Sequence, residues 1–226
     1  DGARLALLGM HAAVLVNADG SEARRLHVSQ ADKAALDWSR ASGALAITSV
    51  QGRALAISTV DVASGKETIL SGGWANAGHA RWSPDGRSIA FHAVAPGGAT
   101  SDIYLLNLEH PEPRPLTEAS HSSWSPRWAG DGSSLLFLTN AGAAGALQLY
   151  LGGPDIETCL PLLRVRQGTA PRFNWPAGSD AGLTVSGKDV WLLTRSGEAK
   201  HLLTTAHPTW ASLAPPQWAQ ADGSST

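Results

Sequence analysis

An aromatic residue leading into a glycine-containing turn recurs at Trp38, Trp82, Trp128, Phe173 and Trp218, at intervals of 44, 46, 45 and 45 residues. A period of that size selects a repeat architecture, in which each unit buries its apolar faces against its neighbours. The units open WSRASGALAIT, WSPDGRSIAF, WAGDGSSLLF, FNWPAGSDAGLTV and WAQADGSST. The first four lead into a short apolar strand, at 45–48, 89–92, 135–139 and 183–186. A polar or Gly-rich turn follows, then a second, alternating strand at 55–60, 103–108, 147–151 and 190–194. A last short strand near Leu-Thr closes each unit, at 69–71, 115–117, 162–164 and 202–204. Together with the aromatic-bearing strand this makes four strands per repeat, the content of one propeller blade.

Helix is disfavoured because Gly or Pro interrupts almost every window of a dozen residues. Residues 30–36 form the one tolerable helical window, expected as a single turn at most, in a loop between repeats. Residues 1–28 match a repeat without its first strand, and residues 217–226 supply a first strand alone. Pairing the two ends satisfies two otherwise open sheet edges. The expectation is one all-β domain over 1–226, a β-propeller of four-stranded antiparallel blades. Four blades fall at 36–73, 80–120, 126–165 and 171–205, and a fifth combines 217–226 with 1–28. Six blades, one of them missing from this stretch of chain, is the alternative.

With 226 residues, 43% hydrophobic and only 16% charged, the chain can bury a sizeable core and is no disordered tail. Its net charge of −2 and the lack of a basic run argue against a nucleic-acid partner. The most apolar stretch, 5–16, is broken by Gly9 and His11 and is too short to span a bilayer, so it reads as two strands and a turn. Cys159 is the only cysteine, which excludes an internal disulfide framework and a CxxC metal site. The start at Asp1 rather than Met sets the expectation of an upstream segment, where any targeting signal would lie.

No GxSxG elbow, phosphate loop, HExxH or HxH pair occurs, so no catalytic residue, cofactor or metal is expected. Gly65-Lys66 and Gly187-Lys188 read as hairpin turns. The run from Asn17 to Glu22 has the composition of a calcium loop but not its spacing, and reads as a hairpin.

The unit ARWSPDGRSIAFHAVAPGGATSDIYLLNLEHPEPRPLT resembles the consensus repeat of TolB-type propellers, at Trp82, Pro84, Asp85, Gly86, Ile89, Phe91, Ile103, Tyr104, Leu116 and Thr117. The next unit keeps Pro126, Trp128, Asp131, Gly132 and Phe137. Elsewhere Ser42 and Ala177 stand where Asp85 stands, and Phe173 replaces the Trp. Asp-Gly makes a tight turn and Pro84 pre-sets its first dihedral. Trp38, Trp82, Trp128, Phe173 and Trp218 are expected to pack between blades. The resemblance also implies export into the bacterial envelope.

Three further tryptophans stand outside that phase. Trp74 and Trp210 lie eight residues before a repeat Trp, and Trp124 lies four before one. With His79, His121 and His207 they are expected in the segments joining one blade to the next. In a propeller those joins share a face with the second-to-third-strand turns. A rim of Trp and His there is a candidate recognition surface, since aromatic anchors dominate binding hot spots. The functional expectation is a non-catalytic scaffold or sensor that takes a protein or peptide on that face. A carbohydrate-binding propeller is the alternative, because Trp stacks on sugar rings, and a lyase or hydrolase with a channel-mouth site is a third.

Overall fold

The structure is a computed structural model that describes residues 4–9, 12–26, 28, 32–39, 41–51, 54–118, 120–141, 147–152, 160–164, 172–175 and 179–205. All regular structure among them is β. The N-terminal sheet holds β1 (Arg4–Leu8), β2 (Ala13–Asn17) and β3 (Arg24–Leu26) in that order. A seven-stranded sheet follows, built from β4 (Asp32–Trp38), β5 (Ala44–Gln51), β6 (Ala54–Asp61), β7 (Glu67–Trp82), β8 (Ser88–Val94), β9 (Ser101–Asn107) and β10 (Arg114–Pro115). Two four-stranded sheets complete it: β11 (Ser123–Trp128) to β14 (Leu160–Arg164) through β12 (Leu135–Thr139) and β13 (Gln148–Gly152), then β15 (Arg172–Asn174), β16 (Ala181–Ser186), β17 (Asp189–Thr194) and β18 (Ala199–Thr204). Within each sheet, strands adjacent in sequence pair antiparallel.

The seven-stranded sheet is two blades sharing one long strand. The first part of β7 pairs with β6, up to Trp74 opposite Leu55, and the second part pairs with β8 from Ala75 opposite Val94. We call these blades 1 and 2, and the two four-stranded sheets blades 3 and 4. The inner strand β7 lies against β4 on one side and β11 on the other, so consecutive blades meet at their inner edges.

Alternation along the second strand of each blade explains the packing. In β5, Leu45 and Ile47 enter the core shared with the N-terminal sheet, while Ala46 turns to blade 2. In β8, Ile89, Phe91 and Ala93 face blade 1 and Ala90 faces blade 3. In β12, Leu135 and Phe137 face blade 2 and Leu136 and Leu138 face blade 4. A strand covered on both faces must be apolar throughout, which is why these segments read as short unbroken runs rather than as amphipathic strands.

Residues 32–38 are strand, not a helical turn. Their backbone is in register with β5 from Asp32 opposite Val50 to Trp38 opposite Leu45, with one shift between Lys33 and Ala35. Sheet pairing outweighs the helix propensity of Lys33, Ala34, Ala35 and Leu36, a difference of a few tenths of a kcal/mol per residue. The stretch from Asn17 to Glu22 is a hairpin, closed by Gly20 N–H to Asn17 O at 2.8 Å and Asn17 N–H to Ser21 O at 2.9 Å. The strand expected at 217–220 to close the ring lies outside the described residues.

The Asp-Gly turns stitch each blade to the one before. Gly86 has φ of +72°, and a Cβ there would stand 3.0 Å from Ala41 Cβ and Ser39 Oγ of blade 1. Gly132, at +75°, would meet Pro84 Cδ of blade 2 at 3.3 Å. Glycine is therefore required twice over, for its backbone conformation and for close approach.

Candidate recognition face

The joins and the second-to-third-strand turns lie at one end of the blades. At the first join the chain does not loop out, because β7 runs straight through it. Gly73 (φ +82°) and two register shifts absorb the change of partner, with Asn76 and His79 both at φ 52°. Such bulges re-aim side chains. Ser125, at φ 56°, repeats the feature in β11, three residues before Trp128 as His79 is three before Trp82.

Trp74 is consequently a strand residue and half-buried. Its ring stands 4.7 Å from Tyr104 and 5.6 Å edge-on from Phe91, and its Nε1–H donates to Ser71 Oγ at 2.7 Å. It caps the core between blades 1 and 2. Trp124 lies inside β11 rather than in the join before it, and packs half-buried against the core between blades 3 and 4. The inner-strand aromatics occupy four successive cores: Trp38 with the N-terminal sheet and blade 1, Trp82 between blades 1 and 2, Trp128 between 2 and 3, and Phe173 between 3 and 4. Trp210, Trp218 and His207 lie outside the described residues.

His79 reaches the surface from its bulge, and its ring lies 5.1 Å from that of His92, tilted by 33°. Gly78 makes room, for a Cβ at that position would meet His92 Cε1 at 3.0 Å. Burial, and then the neighbouring His79 charge, push the His92 pKa down to about 4. Partial desolvation and the Arg81 charge also lower His79. Both rings are therefore neutral at pH 7 rather than cationic.

The second join is pinned by side chains. Ser122 N–H donates to Asn140 Oδ1 at 2.7 Å, Asn140 N–H donates back to Ser122 O at 3.0 Å, and Ser101 N–H reaches Ser122 Oγ at 3.4 Å. The Thr117 hydroxyl donates to Asp102 Oδ1 at 2.9 Å and accepts from Ile103 N–H at 3.0 Å. Burial raises the Asp102 pKa and the Thr117 hydroxyl opposes it. His121, exposed at the tip, sits 3.0 Å from Ser120 Oγ. Toward the ring centre Asp37 pairs with Arg81 at 3.0 Å and accepts Trp82 N–H at 2.8 Å. Burial raises Asp37 although Arg81 pulls it down. Trp128 Nε1–H donates to Arg81 O at 3.0 Å, so blades 1, 2 and 3 are tied at their inner strands. No cluster of three metal-ligating side chains is present among the described residues. No helix there is long and apolar enough to cross a membrane.

Four-stranded antiparallel sheets packed in sequence order at their inner edges define a β-propeller. Within that class the fold is TolB-type. The structure of TolB from Acinetobacter baumannii matches over 92% of this chain and 53% of that one, with a TM-score of 0.68 at 21% identity. A TolB structure from Agrobacterium tumefaciens matches over 90% and 77%, with a TM-score of 0.71 at 18% identity. In sequence, the Tol-Pal system protein TolB of Rhizorhabdus wittichii is 39% identical over 64 residues, 26% of this chain and 14% of the relative. The peptidase YuxL of Bacillus subtilis is 39% identical over 62 residues, 27% of this chain and 9% of the relative. The chain thus spans a small part of the curated relatives it matches. No protein-family model matches it.

Sequence reasoning misses Trp191. Trp191 is in phase with its strand and carries no motif, yet it borders a groove between blades 3 and 4. Only the strand register, which sets Trp191 opposite Thr184, places it there.

Proposed function

We propose that this chain is a non-catalytic recognition propeller that takes a protein or peptide on the face carrying the joins and second-to-third-strand turns. The observation that carries the reading is the pinned second join. The Ser122–Asn140 pair and Ser101 tie the residue next to His121 to the neighbouring turn and strand. A preformed loop loses less entropy when a partner docks. The TolB-type fold supports the same reading, as does the sequence match to a Tol-Pal system protein. Export into the bacterial envelope belongs to this proposal and rests on the same likeness.

Trp74 and Trp124 are poor test positions because each supports a core. His79 and His121 are exposed, and their replacement leaves the cores intact. Purified protein is used as bait in an extract of its source, beside the His79→Ser/His121→Ser variant, with thermal melting to confirm equal folding. The reading expects one or a few proteins retained by the parent and lost by the variant. Retention of the same proteins by both baits, or of none by either, overturns it.

A further inference from the structure

The groove beside Trp191 is built from two blades. Arg164 ends β14 opposite Gln148, at the rim of blade 3. From blade 4, Ser186 and Asp189 flank the two-residue turn Gly187-Lys188, and Thr204 ends β18 opposite Asp189. Glycine at φ +65° suits the first position of such a turn. Arg164, Ser186, Lys188, Asp189, Trp191 and Thr204 enclose about 310 Å³ on the same end of the blades as the joins.

Trp191 is on this groove for a reason of register. Leu193, two residues on, is fully buried in the core between blades 3 and 4. Trp191 lies on the same side of β17 one step nearer the rim, where that core ends. A polar network stands beside it. Thr204 Oγ1 donates to Asp189 Oδ1 at 2.5 Å, His201 Nε2 is 3.3 Å from the same oxygen, and the imidazole meets the indole edge-on at 4.8 Å. The indole is thereby held in place by a second ring.

We infer that this groove binds an acidic sugar, a hexuronate unit of a glycan. Among the described residues of its lining, two cations, Arg164 and Lys188, stand against one carboxylate, Asp189, a balance that favours an anion. Arg matches a carboxylate with two parallel hydrogen bonds. The indole offers a flat apolar surface for the C–H face of a pyranose. Asp189, Ser186 and Thr204 supply the mixture of acceptors and hydroxyls that a polyhydroxylated ring requires. The volume lies at the low end of ligand sites and suits one or two sugar units rather than a folded partner. An acidic peptide shares the carboxylate but lacks the ring hydroxyls, so the sugar uses more of the lining. The groove shares that end of the blades with His79 and His121 but uses none of their side chains, so its test does not depend on the protein-recognition reading.

The test follows the indole Nε1–H signal of Trp191 in the purified protein by NMR, assigned by its loss in Trp191→Phe. The protein is titrated with D-glucuronate, D-glucose, acetate and a tetraglutamate peptide. The expected result is a saturable shift of that signal by glucuronate with millimolar affinity, and binding of glucose and acetate at least about tenfold weaker. Arg164→Gln and Lys188→Gln, both rim substitutions, each weaken glucuronate binding by about tenfold. An unmoved Trp191 signal up to the solubility of glucuronate overturns the inference. So does glucose binding as well as glucuronate, or tetraglutamate binding more tightly than glucuronate through the same side chains.

Discussion

Between blades 1 and 2, Ile89, Phe91 and Leu106 are fully buried, and Trp82 retains 6% of its surface. At the ends of the array the same kinds of strand leave Leu5 and Leu7 of the N-terminal sheet 52% and 56% exposed, and Leu202 and Leu203 of blade 4 45% and 50%. The alternation is equally regular in both places. In β1 and β2, Ala6, Leu8, Ala13 and Leu15 go to the core shared with blade 1, and Leu5 and Leu7 take the opposite side. Among the described residues an interior blade is covered on both faces, whereas the N-terminal sheet and blade 4 are each covered on one. Stability should therefore concentrate in the interior, along with the residues that carry the repeat motif.

The largest expected effect compares the motif aromatic at the two places. Trp82→Ala removes a buried indole and should cost about 3–5 kcal/mol. Phe173→Ala removes a half-buried ring at the edge of the last core and should cost about 1–2 kcal/mol. Urea unfolding followed by far-UV circular dichroism measures both. Equal costs would mean that blade 4 is as tightly covered as blade 2 and would break the comparison.

Acid should sharpen it. His92 titrates at about 4 in the folded protein against a reference of 6.5. Between those values the unfolded chain binds the extra proton and the folded one does not. Stability contributed by neutral His92 is complete above 6.5 and is lost as pH falls toward 4, amounting to about 3 kcal/mol. Asp37 works in the opposite sense. Its raised pKa favours the protonated folded form, so its contribution improves on acidification. His92→Asn should therefore flatten the pH dependence of stability in this window. Hydrogen exchange at the acid end should accelerate in β7 and β8 before it does in β15 to β18. A wild-type profile left unchanged by the substitution would remove His92 as its cause.

How much of this was legible in the sequence depends on the range of the interaction. Strand positions follow from short apolar runs between Gly-rich turns, so 45–48, 89–92 and 135–139 fall within β5, β8 and β12. The helical window at 30–36 misleads because the partner strand that overrides its propensity begins only at Ala44, beyond the window. Trp74 and His79 are expected in a loop because spacing cannot distinguish a loop from a strand carrying two bulges. The groove beside Trp191 is invisible for a different reason. Arg164 and Trp191 are brought together only by the packing of one blade on the next.

The Asp-Gly turn gives the finest version of the comparison. Gly86 and Gly20 have similar backbones, φ +72° and +85°, so alanine is strained at both. That strain alone costs about 1 kcal/mol. They differ in surroundings: a Cβ at Gly20 meets nothing within 4 Å, whereas at Gly86 it meets Ser39 and Ala41 of the preceding blade at 3.0 Å. Gly20→Ala should cost about 1 kcal/mol, and Gly86→Ala about 2 kcal/mol because the blade-to-blade contact must also open. Thermal melting of the two variants measures the difference. If the two cost the same, glycine serves the motif through φ alone, and the turn is a hairpin end rather than a fastening between blades. If Gly86→Ala costs more, pairing it with Ser39→Gly should recover part of the excess, since removing the Ser39 side chain leaves space for the new methyl group.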